Sequence, residues 1–300
     1  MRLLIVGSKG QVGTELVRQS AHHMIHAVDH DLLDITDARA VKLVIDEFKP
    51  DVVINAAAYT AVDKAESEPE VAFAVNRDGP KNLAVACAGL DIPLIHYSTD
   101  YVFDGSKQNA YTEKDNVCPL GVYGESKLAG EQAVQQYCPK HLIFRTSWVF
   151  SAHGNNFVKT MLKLASERDE LGVVADQYGK PSSAAELARL TLDILPRLNN
   201  QWGIYHMAQP EMTSWHGFSK TIFSTARSLG APLKIQRVKA IATEDYPTPA
   251  SRPANSTLNC KKLELTFDVS INPWATSLYD VIQHKMQKYE ISKGIVESER

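Results

Sequence analysis

The sequence predicts an α/β fold: a doubly wound parallel sheet carrying a smaller mixed α/β domain. Three observations predict it. A short apolar run, Arg2-Leu3-Leu4-Ile5-Val6, enters a glycine loop, Gly7-Ser8-Lys9-Gly10-Gln11-Val12-Gly13, that opens a helix. Strand-like and helical stretches then alternate through the first half. From about Ser151 that alternation gives way to shorter, mixed segments. The reading places a first unit at residues 1-150 and a second, ligand-binding unit at 151-300, with part of the later chain returning to the sheet. The chain of 300 residues is long enough to bury both cores.

The glycines are spaced G-x-x-G-x-x-G. Gly7 permits the tight turn, Gly10 lets the backbone approach a pyrophosphate, and Gly13 lets helix and strand pack closely. Free N–H groups at the helix start then face the phosphates. A Rossmann-like dinucleotide site is the expectation. Met24-Ile25-His26-Ala27-Val28-Asp29 reads as the second strand, and Asp29 is placed to bond ribose hydroxyls and favour NADH. His30 and Lys9 would instead accommodate a 2′-phosphate, so NADH and NADPH both stay open. Asp34-Ile35-Thr36-Asp37 reads as a turn and helix cap, and Lys49-Pro50 ends that helix.

The third strand, Asp51 to Ile54, leads into Asn55-Ala56-Ala57-Ala58, whose small side chains let a flat ligand lie against the backbone. A long helix from Val71 to Cys87 contains Pro80, which predicts a kink or two helices. The fourth strand, Ile92 to Tyr97, ends in Ser98-Thr99-Asp100, hydroxyls that either cap or bond a substrate carbonyl. A polar loop leads to the helix of Tyr123 and Lys127, which runs to about Tyr137. His141 to Arg145 is the fifth strand.

Beyond it, Asn155–Arg168, Ala184–Leu198 and Ser214–Leu229 read as helices, and Gly172–Asp176 and Gly203–Met207 as strands. Ile235 to Val238 reads as extended. Tyr246 to Pro253, with three prolines, cannot be helical and reads as a binding loop or a linker. A last helix from about Trp274 ends in a charged tail expected to fray.

Tyr123 and Lys127, four apart, share a helix face. An ammonium beside a phenol favours the phenolate, making the tyrosine a proton donor and acceptor near neutral pH. The spacing alone is weak, because an exposed tyrosine beside a solvated lysine shows it too. Charged residues are 22% of the chain and the net charge is -3, which gives no case for nucleic acid or an anionic membrane. No apolar run approaches membrane-spanning length, and Leu3–Val6 is too short for a signal sequence. The four cysteines lack metal-ligand spacing and read as buried or half-buried free thiols suited to a reducing cytoplasm.

The glycine loop with Thr99, Tyr123 and Lys127 resembles the extended short-chain dehydrogenase/reductases. More narrowly, Asn55 to Glu66, Ser98-Thr99-Asp100-Tyr101-Val102-Phe103, Arg145-Thr146-Ser147-Trp148-Val149 and Pro249-Ala250-Ser251-Arg252-Pro253 resemble the dTDP-4-dehydrorhamnose reductase family. The resemblance implies hydride transfer from NADPH or NADH to C4 of dTDP-4-dehydro-β-L-rhamnose, the last step of dTDP-L-rhamnose synthesis for surface polysaccharide such as the O-antigen. It implies Tyr123 as proton donor, Lys127 as the group that lowers its pKa and holds the nicotinamide ribose, and Thr99 as partner of the substrate oxygen.

By the same resemblance Gly10, Gln11, Val12, Asp29, Asp34, Ile35 and Ala56-Ala57-Ala58 would line the cofactor, and Thr99, Asp100 and Trp148 the sugar nucleotide. Trp148 offers an apolar face for sugar or base, or a core side chain. Arg252 fits either the substrate diphosphate or a structural ion pair. Relatives that dimerise around Mg2+ suggest Glu15 as a ligand and Glu186 as a second, although the following Leu187 is not acidic. The alternatives are a nucleotide-sugar epimerase or dehydratase, or a non-catalytic subunit resembling the methionine adenosyltransferase β subunit.

Overall fold

In the computed structural model the backbone of residues 1–298 and the side chains of residues 1–287 are described. The expected frayed tail falls mainly on side chains outside the described residues. Strand β1 (Arg2–Val6), helix α1 (Gln11–Gln19), β2 (Met24–Val28), α2 (Ala38–Phe48) and β3 (Val52–Asn55) follow one another. The short α3 (Val62–Ala65) and α4 (Pro69–Phe73) lead into α5 (Gly79–Gly89), β4 (Leu94–Thr99), α6 (Val122–Tyr137) and β5 (His141–Thr146). After them come β6 (Val149–Phe150), α7 (Phe157–Glu167), β7 (Glu170–Val174), β8 (Tyr178–Gly179), β9 (Ser182–Ser183) and α8 (Ala184–Ile194). β10 (Gly203–His206), β11 (Thr213–Ser214), α9 (Trp215–Ser228), β12 (Arg237–Ile241), α10 (Lys261–Phe267) and α11 (Trp274–Ser298) close the chain.

The main sheet has the order β10-β5-β4-β3-β1-β2, all parallel. Its inner strands β1 and β3 are buried on both faces because helices cover both, while the edge strand β2 is partly exposed. Leu3 and Ile5 face the core beneath α1, α8 and α10, while Leu4 and Val6 face α2 and α5. The strand order reverses beside β1, which opens a crevice at the carboxyl ends of β1 and β3. The sixth strand, β10, comes from the second half of the sequence.

A separate apolar core joins α7, β7, α9 and α11 around Phe218, Ile222, Trp274 and Leu278. There β7 pairs in parallel with β12. Both strands differ by a few residues from the sequence reading, and α10 was not foreseen.

Of the kink or two helices expected at Pro80, the structure has two helices, α4 and α5, joined by a π turn at Ala74–Asp78. A proline ring collides with the carbonyl four residues earlier, here Asn76, and the wider turn relieves that. The freed Asn76 carbonyl packs on Gly130 of α6, where any Cβ would overlap it. Cys87, Cys138 and Cys260 are buried, but Cys118 is exposed rather than half-buried. No helix among the described residues is long and apolar enough to cross a membrane.

Candidate active site

The glycine loop sits at the crevice. Gly7 has φ +78°, in the left-handed region, and a Cβ there would lie 2.5 Å from the Ala57 nitrogen. A Cβ on Gly13 would overlap the Gly7 carbonyl. The cradle is thus shaped by missing side chains, and the first turn of α1 has no side-chain cap. Both features fit a pyrophosphate and hence a dinucleotide.

Around the cradle, Asp29 accepts the Lys9 and His30 backbone N–H groups, each at 2.8 Å, and lies 2.6 Å from the His30 ring. Lys9 pairs with Asp31. Asp29 therefore holds the loop, and cationic groups stand beside it, so NADH and NADPH both stay open. The Gln11 amide oxygen accepts from Ser151 at 3.0 Å and Asn156 at 2.8 Å, which ties the loop to the second half and leaves the Gln11 backbone for a ligand. Val12 packs on the core. Asp34 caps its own turn through Thr36, and Ile35 is buried against Gly79, so the Ile35 side chain belongs to the core. Ala56, Ala57 and Ala58 are half-buried at the end of β3, and Ala57 N–H is held by Asn55 at 3.0 Å.

On the other side of the crevice stand Thr99 and Tyr123. Thr99 ends β4 and caps the 3-10 turn of Asp100–Val102 through Tyr101 N–H at 3.2 Å. Helix α6 meets that turn at Gly124, where any Cβ would overlap the Tyr101 carbonyl oxygen. Glu66 accepts the Val122 N–H at 2.9 Å and so caps α6 from another segment. These contacts bring the Tyr123 phenol to Thr99. Tyr101 meets Tyr123 edge to face at 5.6 Å.

The electrostatics differ from the expectation that Lys127 lowers the Tyr123 pKa. Burial pushes the Tyr123 phenol up to about 12, opposed by a hydrogen bond with Thr99. Lys127, only 1% exposed, donates to the Tyr97 carbonyl at 2.7 Å instead, and burial pulls it down to about 8. Burial also raises the Asp100 carboxyl to about 7. Asp100 Oδ1 accepts from Thr99 at 3.2 Å, while Oδ2 is buried without a partner.

Beyond Tyr101 a cavity of about 570 Å³ opens between α7, β7 and the 246–252 loop, with Trp215, Tyr246, Thr248 and Arg252 in its wall. Arg252 both lines it and pairs with Asp63 at 2.8 Å, which is the structural ion pair of the two readings. Asp63 also accepts the Ala250 N–H, which clasps the proline-rich loop to the segment after β3. Trp148 adopts φ +45° and stacks on Trp215 at 3.5 Å, 7° from parallel. Trp215 lines this cavity and Trp148 backs it through the stack. Sequence reasoning placed Tyr246 in a binding loop or linker but missed Trp215 and Phe157, whose only signal was an aromatic at a helix start.

Glu15 is buried and engaged by Arg18 and Gln19, with His153 at 3.3 Å. Glu186 is held by Arg189 and Asn272. Among the described residues no three metal-ligating side chains gather, so these residues do not fit a Mg2+ site within one chain.

A parallel sheet with a glycine cradle at its crevice and a threonine, tyrosine and lysine at the next strand end define a nucleotide-binding oxidoreductase of the short-chain dehydrogenase/reductase class. Comparison with known proteins is narrower. The model of the RmlD substrate binding domain matches residues 1–287. A dTDP-4-dehydrorhamnose reductase of Sinorhizobium fredii is 46% identical over 284 residues, covering 92% of this chain and 95% of its own. That of Escherichia coli K12 is 44% identical over 283 residues, covering 91% and 94%. The crystal structure of a dTDP-4-dehydrorhamnose reductase from Bacillus anthracis in complex with NADP superposes with a TM-score of 0.88 at 38% identity, covering 93% and 98%. The chain belongs to the dTDP-4-dehydrorhamnose reductase family.

Proposed function

We propose that this chain reduces the C4 ketone of dTDP-4-dehydro-β-L-rhamnose to dTDP-L-rhamnose, the last step in making that donor for surface polysaccharide. The observation that carries the reading is the position of Tyr123. Its ring packs edge to face on Tyr101, which lines the cavity, and its helix meets the Thr99 turn at Gly124.

When bound, NADPH or NADH supplies the hydride. The chain's own residues do the rest. The glycine loop and the uncapped start of α1 hold the pyrophosphate. Arg252, with its planar fork at the cavity wall, pairs with the substrate diphosphate, and the Trp215 face packs against an apolar or aromatic part of the substrate. Thr99 bonds the ketone oxygen beside Tyr123.

A phenol raised to about 12 stays protonated at neutral pH, which suits a donor rather than a base. A developing alkoxide is more basic than a phenolate, so the proton moves from Tyr123 to C4 oxygen downhill. The Lys127 ammonium, which rests on the Tyr97 carbonyl, stabilises the phenolate only on leaving that carbonyl. Asp100, raised to about 7, is neutral in part near pH 7 and in that form donates to a sugar oxygen. Incubation with dTDP-4-dehydrorhamnose and NADPH, followed by NMR of the product, tests this. A hydroxyl new at C4 of a rhamnose product is expected; an unreduced or differently epimerised sugar would overturn it.

A further inference from the structure

Glu131 lies outside everything assigned above, yet it is wholly buried and sits one helical turn after Lys127 and two after Tyr123. Its Oε1 accepts from Ser98 Oγ at 2.5 Å and Arg145 Nε at 2.9 Å, and its Oε2 from Arg145 Nη2 at 2.6 Å. Ser98 directly precedes Thr99 on β4, and Arg145 faces Ser98 across the β4–β5 ladder. One carboxylate therefore joins the helix of Tyr123 and Lys127 to the strand of Thr99 and to its neighbour.

Resting on the reading of Tyr123, Lys127 and Thr99 given above, we infer that Glu131 is a positioning residue for the reduction: it clamps α6 to the strand ends of the site and is the buried counter-charge of the Lys127 ammonium.

The second half of this follows from what surrounds Lys127. A buried ammonium with too little opposite charge releases its proton. The titratable and charged groups around it are Tyr123 and Glu131 on α6, His96 on β4, Asp100 just past β4, and Arg145 on β5. His96 is fully buried, with Nδ1 3.1 Å from Asn55, and burial and Lys127 hold it well below the usual imidazole range, so it adds no negative charge. Asp100, raised to about 7, exerts no charge influence on Lys127, and Tyr123 is a neutral phenol. Arg145 has the wrong sign. Glu131 is left as the group that opposes burial at Lys127, in agreement with its raising influence there.

The test separates charge from anchorage. Glu131→Gln keeps the side-chain size and an acceptor for Ser98 but removes the charge. It also leaves the Arg145 guanidinium unpaired, which endangers folding, so the double variant Glu131→Gln, Arg145→Met removes both charges; losing a buried pair whole is far milder than losing half of it. Lys127 is followed in the ligand-free protein through the 13Cε resonance of labelled lysine, assigned by its loss in Lys127→Arg, from about pH 6 to pH 10. kcat/KM is measured over the same range.

The Lys127 titration and the alkaline limb of kcat/KM are expected to move to lower pH by about one unit or more in Glu131→Gln, and the same way but less in the double variant, which also removes the repelling Arg145 charge. Ser98→Ala, which loses a hydrogen bond and keeps the charge, should leave the titration in place. A Lys127 titration unchanged in both charge-removing variants would overturn the inference even if rates fell, because loss of an anchor alone lowers the rate without moving the titration. Undiminished turnover in Tyr123→Phe would instead overturn the reading of the site, and with it the catalytic meaning of Glu131.

Discussion

Lys127 Nζ donates to the Tyr97 carbonyl oxygen at 2.7 Å, and the Tyr123 phenol is left to Thr99. A lysine four residues from a tyrosine shares its helix face but need not touch its oxygen. Here the ammonium reaches across to β4, because a buried carbonyl offers an acceptor at that depth. The phenol keeps its proton in the ligand-free protein, which is the state a reductase needs at the start of its cycle.

Separate losses should follow. Lys127→Ala is expected to lower kcat by about a hundredfold or more and to weaken cofactor binding, since the ammonium is expected to hold the ribose as well. Steady-state kinetics and a cofactor fluorescence titration check both. A loss of rate with unchanged cofactor affinity would confine Lys127 to the proton step.

Helix α6 can approach the Thr99 turn only because residue 124 has no side chain. Gly124→Ala should push α6 off that turn, destabilise the protein by about 1–3 kcal/mol, and lower turnover further than the stability change explains. Thermal unfolding and kcat measured on the same preparation check this; wild-type values for both would show that the turn is not held in this way.

Asp100 predicts a pH signature in stability. Its folded pKa, about 7, is raised by burial above the unfolded carboxylate value of about 3.9. The folded state therefore binds the proton more tightly, and stability falls as pH rises from about 4 to about 7. Asp100→Asn cannot titrate. Relative to wild type it should gain stability progressively across that window, on the order of a few kcal/mol by its upper end, while KM for the sugar nucleotide rises. Denaturant melts at several pH values check this, and a constant offset between the two proteins would contradict it.

Arg252 stands between Asp63 and the cavity. Arg252→Ala is expected to raise KM for the sugar nucleotide by about tenfold or more and to weaken binding of dTDP alone, with the cofactor constant unchanged. Asp63→Asn should give a smaller rise, by freeing the proline-rich loop rather than removing the diphosphate partner. Calorimetric titration with dTDP separates the two.

Much of the sheet and cradle was legible because local chemistry dictates it. Leu3–Val6 is apolar on both faces, and a strand followed by Gly7, Gly10 and Gly13 leaves few other conformations open. The position of the tyrosine helix was legible from the same pattern. Three things were not. The side of α6 to which Lys127 turns depends on the Tyr97 carbonyl, a partner 30 residues away. The break at Pro80 was legible, but its π form depends on Gly130 leaving room for the Asn76 carbonyl. The placing of Trp148 behind Trp215 at the cavity wall depends on Gly179, where a Cβ would overlap the Trp148 ring. Each is a tertiary contact between distant segments, and no periodicity or spacing encodes it.

The most direct test of the account is NADPH and NADH oxidation by wild type and Tyr123→Phe, with dTDP-4-dehydrorhamnose set against other 4-keto sugar nucleotides. The account predicts stoichiometric cofactor oxidation with dTDP-4-dehydrorhamnose as the preferred substrate. In Tyr123→Phe it predicts a loss of kcat of about a hundredfold or more, with cofactor affinity kept. Near wild-type turnover by Tyr123→Phe, or sugar conversion without net cofactor oxidation, would contradict it.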